Sequence, residues 1–178
     1  MVRLFAAVPV PPEIAEDLVQ WQTGLDGARW RPEEALHVTL RFFGETPQNT
    51  AADLDTELSA IRAAPFDVEL QGAGSFGEGH KARAIWAGVA DSPALRQLAA
   101  KCETAARRVG IEPENRAYKP HVTLAYLKRA EPERVLGWIG RHNLLRLPPF
   151  RVTWFGLWSS WLSPSGSRYE LEREYPLL

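Results

Sequence analysis

The chain has 178 residues, 45% of them hydrophobic and 24% charged, with a formal net charge of −1. That length suits a single domain with its own core, and no apolar run approaches the roughly 18 residues that span a bilayer. So balanced a charge excludes a protein that coats nucleic acid through many phosphate contacts, and any nucleic-acid contact must be local. RLFAAVPV, residues 3–10, is a predicted buried strand closed by prolines. Pro11-Pro12 then opens a helix in which Ile14, Leu18, Trp21 and Leu25 keep a 3.6-residue period until Gly24 and Gly27 end it. LHVTLRFF, residues 36–43, is a half-buried strand followed by the turn Gly44-Glu45-Thr46-Pro47. A second helix over 49–63 aligns Leu54, Leu58 and Ile61. PFDVELQGAGSF (65–76) and ARAIWAGV (82–89) pair antiparallel across a loop from Gly77 to Gly79. A helix over 92–109 follows, with Ser92 as N-cap and Gly110 as C-cap, then the strand AYKPHVTLAYL (117–127) and a short helix over 131–141. Residues 149–162 and 167–178 form a closing hairpin across Ser163-Pro164-Ser165-Gly166.

The order of elements repeats, and so does some of the text. His-Val-Thr-Leu occurs at residues 37–40 and 121–124, and the same offset of 84 carries Pro65-Phe66 onto Pro149-Phe150. RLFAAV before the first copy matches RAIWAGV before the second. Residues 1–178 therefore form one bilobal domain of two homologous, interleaved halves, too few and too long for a solenoid. Strands joined by a mixture of hairpins and helix crossovers predict an α+β fold: a pseudo-twofold duplication with two mostly antiparallel sheets, flanked by helices, around a central groove. The short N-terminal apolar stretch runs into prolines and acidic residues, so no signal peptide is expected. Cys102 is the only cysteine, so no internal disulfide can form, and a reducing compartment, the cytoplasm, is expected. Most of the seven tryptophans are expected in the core or between the halves.

On a strand alternate residues share a face, so His37 and Thr39 point one way and Val38 and Leu40 the other, as do His121 and Thr123 against Val122 and Leu124. Opposed across a pseudo-twofold, two imidazoles and two hydroxyls suit an anion. A neutral imidazole can take a proton from an attacking hydroxyl while an imidazolium gives one to the leaving oxygen, with no metal needed. Threonine hydroxyls can donate to the non-bridging oxygens where charge develops. Preserving a core strand would require only Val and Leu, so the repeated His and Thr point to chemistry. His80 and His142 stand alone and are assigned structural places. Zinc finds no Cys cluster or HExxH helix, Glu34 standing in a loop-to-strand context, and a serine triad finds no GxSxG elbow. Strict alternation puts Arg41 on the His37 face and leaves Tyr126 off the His121 face, where it packs.

The paired HVTL strings, with RLFAAVPVPPEI, GAGSFG, RAIWAGV, YKPHVTLAYL and RYELEREYPLL around them, resemble the two-histidine phosphoesterase superfamily over nearly the whole chain. Within it the chain is similar to the bacterial and archaeal RNA 2′,3′-cyclic phosphodiesterases, formerly called 2′-5′ RNA ligases. The resemblance implies hydrolysis of 2′,3′-cyclic phosphates, mostly at RNA ends, to 2′-phosphates without a metal; no cofactor and no membrane partner is expected, and the chain is expected to be a monomer. It assigns His37 and His121 as the catalytic pair and Thr39 and Thr123 as phosphate-binding; His37 is taken as proton donor and His121 as proton acceptor, the approximate symmetry leaving the opposite assignment open. By the same resemblance Arg41, on the His37 face, is a candidate phosphate ligand or else a solvated rim arginine. One departure stands out: relatives commonly carry Arg two residues after the Leu of the second motif, where this chain has Tyr126, with Lys128 and Arg129 just beyond. Two other functions fit the same groove. A 2′-5′ RNA ligase would open the cyclic phosphate with a 5′-hydroxyl, which requires a site that holds a second RNA end and excludes water. A non-catalytic RNA- or nucleotide-binding module would not need both histidines.

Overall fold

The two His-Val-Thr-Leu strings become neighbouring strands at the middle of one antiparallel sheet. In the computed structural model, which describes residues 1–164 and 166–178, the chain runs β1 (Val2–Pro9), α1 (Pro12–Val19), β2 (Ala28–Trp30), β3 (His37–Thr46), α2 (Gln48–Ser59), β4 (Phe66–Val68) and β5 (Leu70–Phe76). It continues through β6 (Ala84–Val89), α3 (Pro93–Arg108), β7 (His121–Leu127), α4 (Pro132–His142), β8 (Phe150–Val152), β9 (Trp154–Ser163) and β10 (Gly166–Pro176). The main sheet has the order β10-β9-β1-β3-β7-β6-β5, and β2 also pairs with β7. This is the α+β, antiparallel organisation expected from the sequence.

The order is symmetric about its centre, with β9-β1-β3 on one side and β7-β6-β5 on the other. Between them β3 and β7 share one residue pair among the described residues, Val38 opposite Val122. The offset of 84 recurs in this pairing, since Val122 is the counterpart of Val38. It recurs again in a separate two-stranded sheet, where β4 and β8 pair Phe66 with Val152, Asp67 with Arg151 and Val68 with Phe150. Asp67 and Arg151, also counterparts, form an ion pair at 3.3 Å. The sequence reading of 65–76 and 149–162 as single strands is corrected here: each breaks at one residue, Glu69 or Thr153, so that its first piece joins the small sheet and its second the large one. Of the expected final turn, Ser165 lies outside the described residues.

Helices cover one face of the main sheet. α3 buries Leu95, Leu98, Ala99, Cys102, Ala105 and Ala106 against it, Ser92 caps the helix by accepting from the Leu95 N–H at 3.2 Å, and Gly110 ends it with φ +83°. Each fully buried leucine contributes about 2 kcal/mol of apolar burial. α1 stops at Val19, short of the expected end. The Trp21 N–H bonds to Leu18 O at 2.9 Å, a tightened turn that folds the chain back while Trp21 and Leu25 remain in the core. α4 inserts Trp138, which is fully buried and donates its indole N–H to Trp21 O and Thr23 O at 3.2 and 3.1 Å. His142 stacks on that ring at 4.1 Å and bonds through Nδ1 to Trp138 O at 2.7 Å, which makes it a structural histidine, as expected. The tryptophans are less uniformly interior than expected: Trp21 and Trp138 are buried, Trp161 is exposed, and Trp86 and Trp158 are half-buried beside the motif strands.

Candidate active site

Both histidines start a strand, and both are held in the same way. His37 Nδ1 lies 2.7 Å from Ala35 O and His121 Nδ1 lies 2.6 Å from Lys119 O, in each case the carbonyl two residues upstream. A carbonyl oxygen only accepts, so Nδ1 carries the hydrogen and donates it. The proton-exchanging position of each ring is therefore Nε2, a base when the ring is neutral and an acid when it is charged. Antiparallel pairing at Val38 and Val122 brings His37 toward Thr123 and Thr39 toward His121. The threonine hydroxyls make no hydrogen bond with the described residues, although both side chains are half-buried.

Aromatic rings wall the two imidazoles. His37 stacks on Phe5 at 4.9 Å and meets the edge of Tyr169 at 5.5 Å. His121 meets Phe76 edge-on at 4.6 Å and Trp86 at 6.1 Å. Burial among these rings lowers the pKa of His37 to about 4, against the opposing bond to Ala35 O, and the positive charge of Arg31 and the field of His121 push it the same way. His121 is also lowered, by burial, with the bond to Lys119 O opposing. Both rings are thus held neutral at neutral pH.

Arg41 does not join them. The pairing of β3 with β1 slips between Ala7, opposite Thr39, and Ala6, opposite Arg41, so Leu40 is an extra residue, a β-bulge. The bulge sends Leu40 and Arg41 to the same, helix-covered face. There the Arg41 guanidinium pairs with Glu103 on α3 and donates to Phe42 O and, at 2.6 Å, to Glu112 O. Only 8% of Arg41 is exposed. The expectation of a third phosphate ligand at Arg41 is therefore corrected: alternation fails one residue before it matters.

The second motif carries the same bulge at the equivalent place. Trp86 lies opposite Thr123 and Ile85 opposite Ala125, which leaves Leu124 extra. The residue after each bulge returns to the histidine face, so Phe42 and Tyr126 stand there 42% and 47% exposed. Tyr126, expected to pack away from the site, instead borders it. Its ring faces Arg31, whose guanidinium carbon lies 5.5 Å from the Tyr126 centroid and 5.3 Å from that of Tyr169. Sequence reasoning missed Arg31 because it follows a three-residue strand, β2, that exists only through its pairing with β7.

The site is a shelf on the sheet face that carries both histidines. Two hollows of about 180 and 310 Å³ lie elsewhere, the first by Glu57, Lys101 and Arg108, the second by Val10, Pro12 and Phe150. Among the described residues, no three His, Cys, Asp or Glu side chains come together as a metal site. No helix among them is long and apolar enough to cross a membrane.

A model of the 2′-5′ RNA ligase superfamily matches residues 10–160. The chain is 29% identical over 172 residues to an RNA 2′,3′-cyclic phosphodiesterase of Archaeoglobus fulgidus, covering 95% of this chain and 97% of that one. It is 31% identical to the protein of the same name from Thermus thermophilus, over 99% of this chain and 90% of that one. In structure it resembles LigT of Escherichia coli crystallised with 3′-AMP, with a TM-score of 0.82 and 28% identity over 99% and 98% of the two chains. TT0787 of Thermus thermophilus is equally similar, with a TM-score of 0.82 and 28% identity over 98% and 97%.

Proposed function

The chain belongs to the 2′-5′ RNA ligase superfamily, and from that membership we propose that it is an RNA 2′,3′-cyclic phosphodiesterase, a hydrolase of phosphoric diester bonds, working through His37 and His121. The observation that carries the reading is the matched pair of imidazoles, each with Nδ1–H tied to a backbone carbonyl and Nε2 left for exchange. In the proposed reaction His121 Nε2 takes a proton from water as the water oxygen bonds to phosphorus. The bond from phosphorus to the 3′ oxygen breaks, and His37 gives that oxygen its proton, leaving a 2′-phosphate and a 3′-hydroxyl. Thr39 and Thr123 donate hydrogen bonds to the non-bridging oxygens as charge builds on them. The anionic phosphate itself favours protonation of His37, against burial and the charge of Arg31.

One observation favours the reverse assignment: His37 has its pKa lowered to about 4, which suits a base. A p-nitrophenyl phosphodiester separates the two, because its leaving group needs no proton. The variant lacking the donor keeps turnover of that substrate and the variant lacking the base loses it. With a 2′,3′-cyclic nucleotide in EDTA, wild type should yield a 2′-phosphate, and His37→Ala and His121→Ala should each fall by about 10²- to 10⁴-fold. Turnover in either variant at the wild-type rate, or arrest by EDTA, would sink the two-histidine mechanism.

Water exceeds any second RNA end in concentration, which supports hydrolysis over ligation. The substrate is read as an RNA or oligonucleotide ending in a 2′,3′-cyclic phosphate. Both imidazoles come from one chain, which supports a working monomer, and the buried free thiol of Cys102 supports a cytoplasmic setting. The symmetric strand order and the counterpart pairs at an offset of 84 support two homologous halves within one domain.

A further inference from the structure

Arg31 is a charged group without a counter-charge. Its backbone is fixed: the N–H donates to Leu124 O at 2.8 Å, and the carbonyl accepts from Gln22 Nε2 at 2.8 Å. Its side chain lies between the rings of Tyr126 and Tyr169, half-buried, and is near enough to His37 to act on it electrostatically. Among the described residues no carboxylate comes within ion-pair distance of it. Its Nη2 is sealed from solvent and has no hydrogen-bond partner.

A buried guanidinium nitrogen with no acceptor is unfavourable, because water has been removed and nothing replaces it. One other buried side-chain atom among the described residues lacks a partner: Nε1 of Trp86, in the ring beside His121. Both atoms are donors and cannot accept. Together with the Thr39 and Thr123 hydroxyls, the side chains of Arg31 and Trp86 each carry a donor atom with no partner among the described residues, and Arg31, which also bonds the Tyr169 side chain, carries a full positive charge.

We propose that Arg31 binds the phosphate of the substrate, its guanidinium fork donating to the non-bridging oxygens beside His37. The proposal rests on the phosphodiesterase reading for the identity of the anion. The Tyr126 and Tyr169 rings lie against the guanidinium and the Tyr169 side chain bonds it, which positions a planar cation without a carboxylate.

The test uses inorganic phosphate as the binding probe and 2′,3′-cyclic AMP as substrate, with Arg31→Met, Arg31→Lys and the double variant Arg31→Met/Tyr126→Arg. Arg31→Met should weaken phosphate binding about 10- to 100-fold, the loss expected for a charge-assisted, two-pronged contact, and should raise KM more than it lowers kcat. Arg31→Lys should recover only part, since an ammonium keeps the charge and lacks the fork. Returning a guanidinium to the shelf at position 126 should restore binding, a rescue that a merely structural role for Arg31 would not give. Independently of how the variants fold, the Arg31 side-chain N–H resonances of wild type, identified by their loss in Arg31→Lys, should shift on phosphate titration. Resonances that stay fixed through saturation, or wild-type phosphate affinity in a folded Arg31→Met, would overturn the proposal. If wild type leaves the cyclic nucleotide intact yet binds phosphate through Arg31, the phosphodiesterase reading fails and the anion site stands.

Discussion

Replacing His37 by Gln should make the protein more resistant to acid while removing its activity. The imidazole has a pKa near 6.5 in an unfolded chain and about 4 in the folded one, chiefly because it is buried among Phe5, Tyr169 and its own strand. Below pH 6.5 the unfolded state therefore holds a proton that the folded state refuses, and stability declines as pH falls until the folded pKa is reached. At about pH 4.5 the unfolded ring is almost fully charged and the folded one mostly neutral, so linkage gives a penalty of about 2 kcal/mol. Glutamine does not titrate, and its amide N–H can still donate to Ala35 O. In urea denaturation at about pH 7.5 and about pH 4.5, wild type should lose about 2 kcal/mol more than His37→Gln between the two conditions. The carboxylates titrate in both proteins and cancel in the difference. Equal losses would refute the reasoning, and so would a His37 ring resonance that titrates near 6.5 in the native state.

Three further outcomes follow from the same structure. Arg41→Met should leave phosphate binding intact and destabilise the fold by about 1–3 kcal/mol, because it takes the donor from the Phe42 and Glu112 carbonyls and leaves Glu103 only Arg107 and the Glu114 N–H; a thermal midpoint lowered by about 2–12 °C checks it. Burial raises the Glu103 pKa, but the bonds from Arg41, Arg107 and the Glu114 N–H outweigh that and hold it low. Its contribution is thus present above the unfolded carboxylate pKa and lost as pH falls through the folded one, so wild type and Arg41→Met should converge in stability toward acid. Gly74→Ala would place a Cβ 2.4 Å from the ring of Trp86; we expect a loss of about 1–3 kcal/mol and a reduced kcat from the displaced wall of His121, read by denaturation and steady-state kinetics together.

The α+β organisation and the pair of motif strands were legible in the sequence because alternation and the 3.6-residue period are strong over His37–Phe43, His121–Leu124 and Pro93–Arg108. The bulges at Leu40 and Leu124 were not. A bulge shifts one residue without changing composition, and it is fixed by pairing with β1 and β6, which the local text does not state. That shift is why alternation alone puts Arg41 on the histidine face and Tyr126 off it, and why it gives Phe42 no place at the site. The break at Glu69 escaped for a similar reason, since both pieces of 65–76 are good strands and only their partners differ. Arg31 was hidden more deeply, because its role depends on two tyrosines 95 and 138 positions further along the chain.

The interleaving of the strands also bears on how the protein is made. β1 has β3 on one side and β9 on the other, with Arg3 opposite Ser160, so the half of the sheet that carries His37 is closed by strands synthesised near the end of the chain. The half that carries His121 is built from β5, β6 and β7, all available earlier. On the ribosome, then, β1 waits with an open edge until β9 emerges. The order of assembly puts the later lobe, sequentially the first, at the mercy of the last 25 residues: a nascent or clipped chain ending before β9 would keep an intact His121 strand beside an unpaired, aggregation-prone edge.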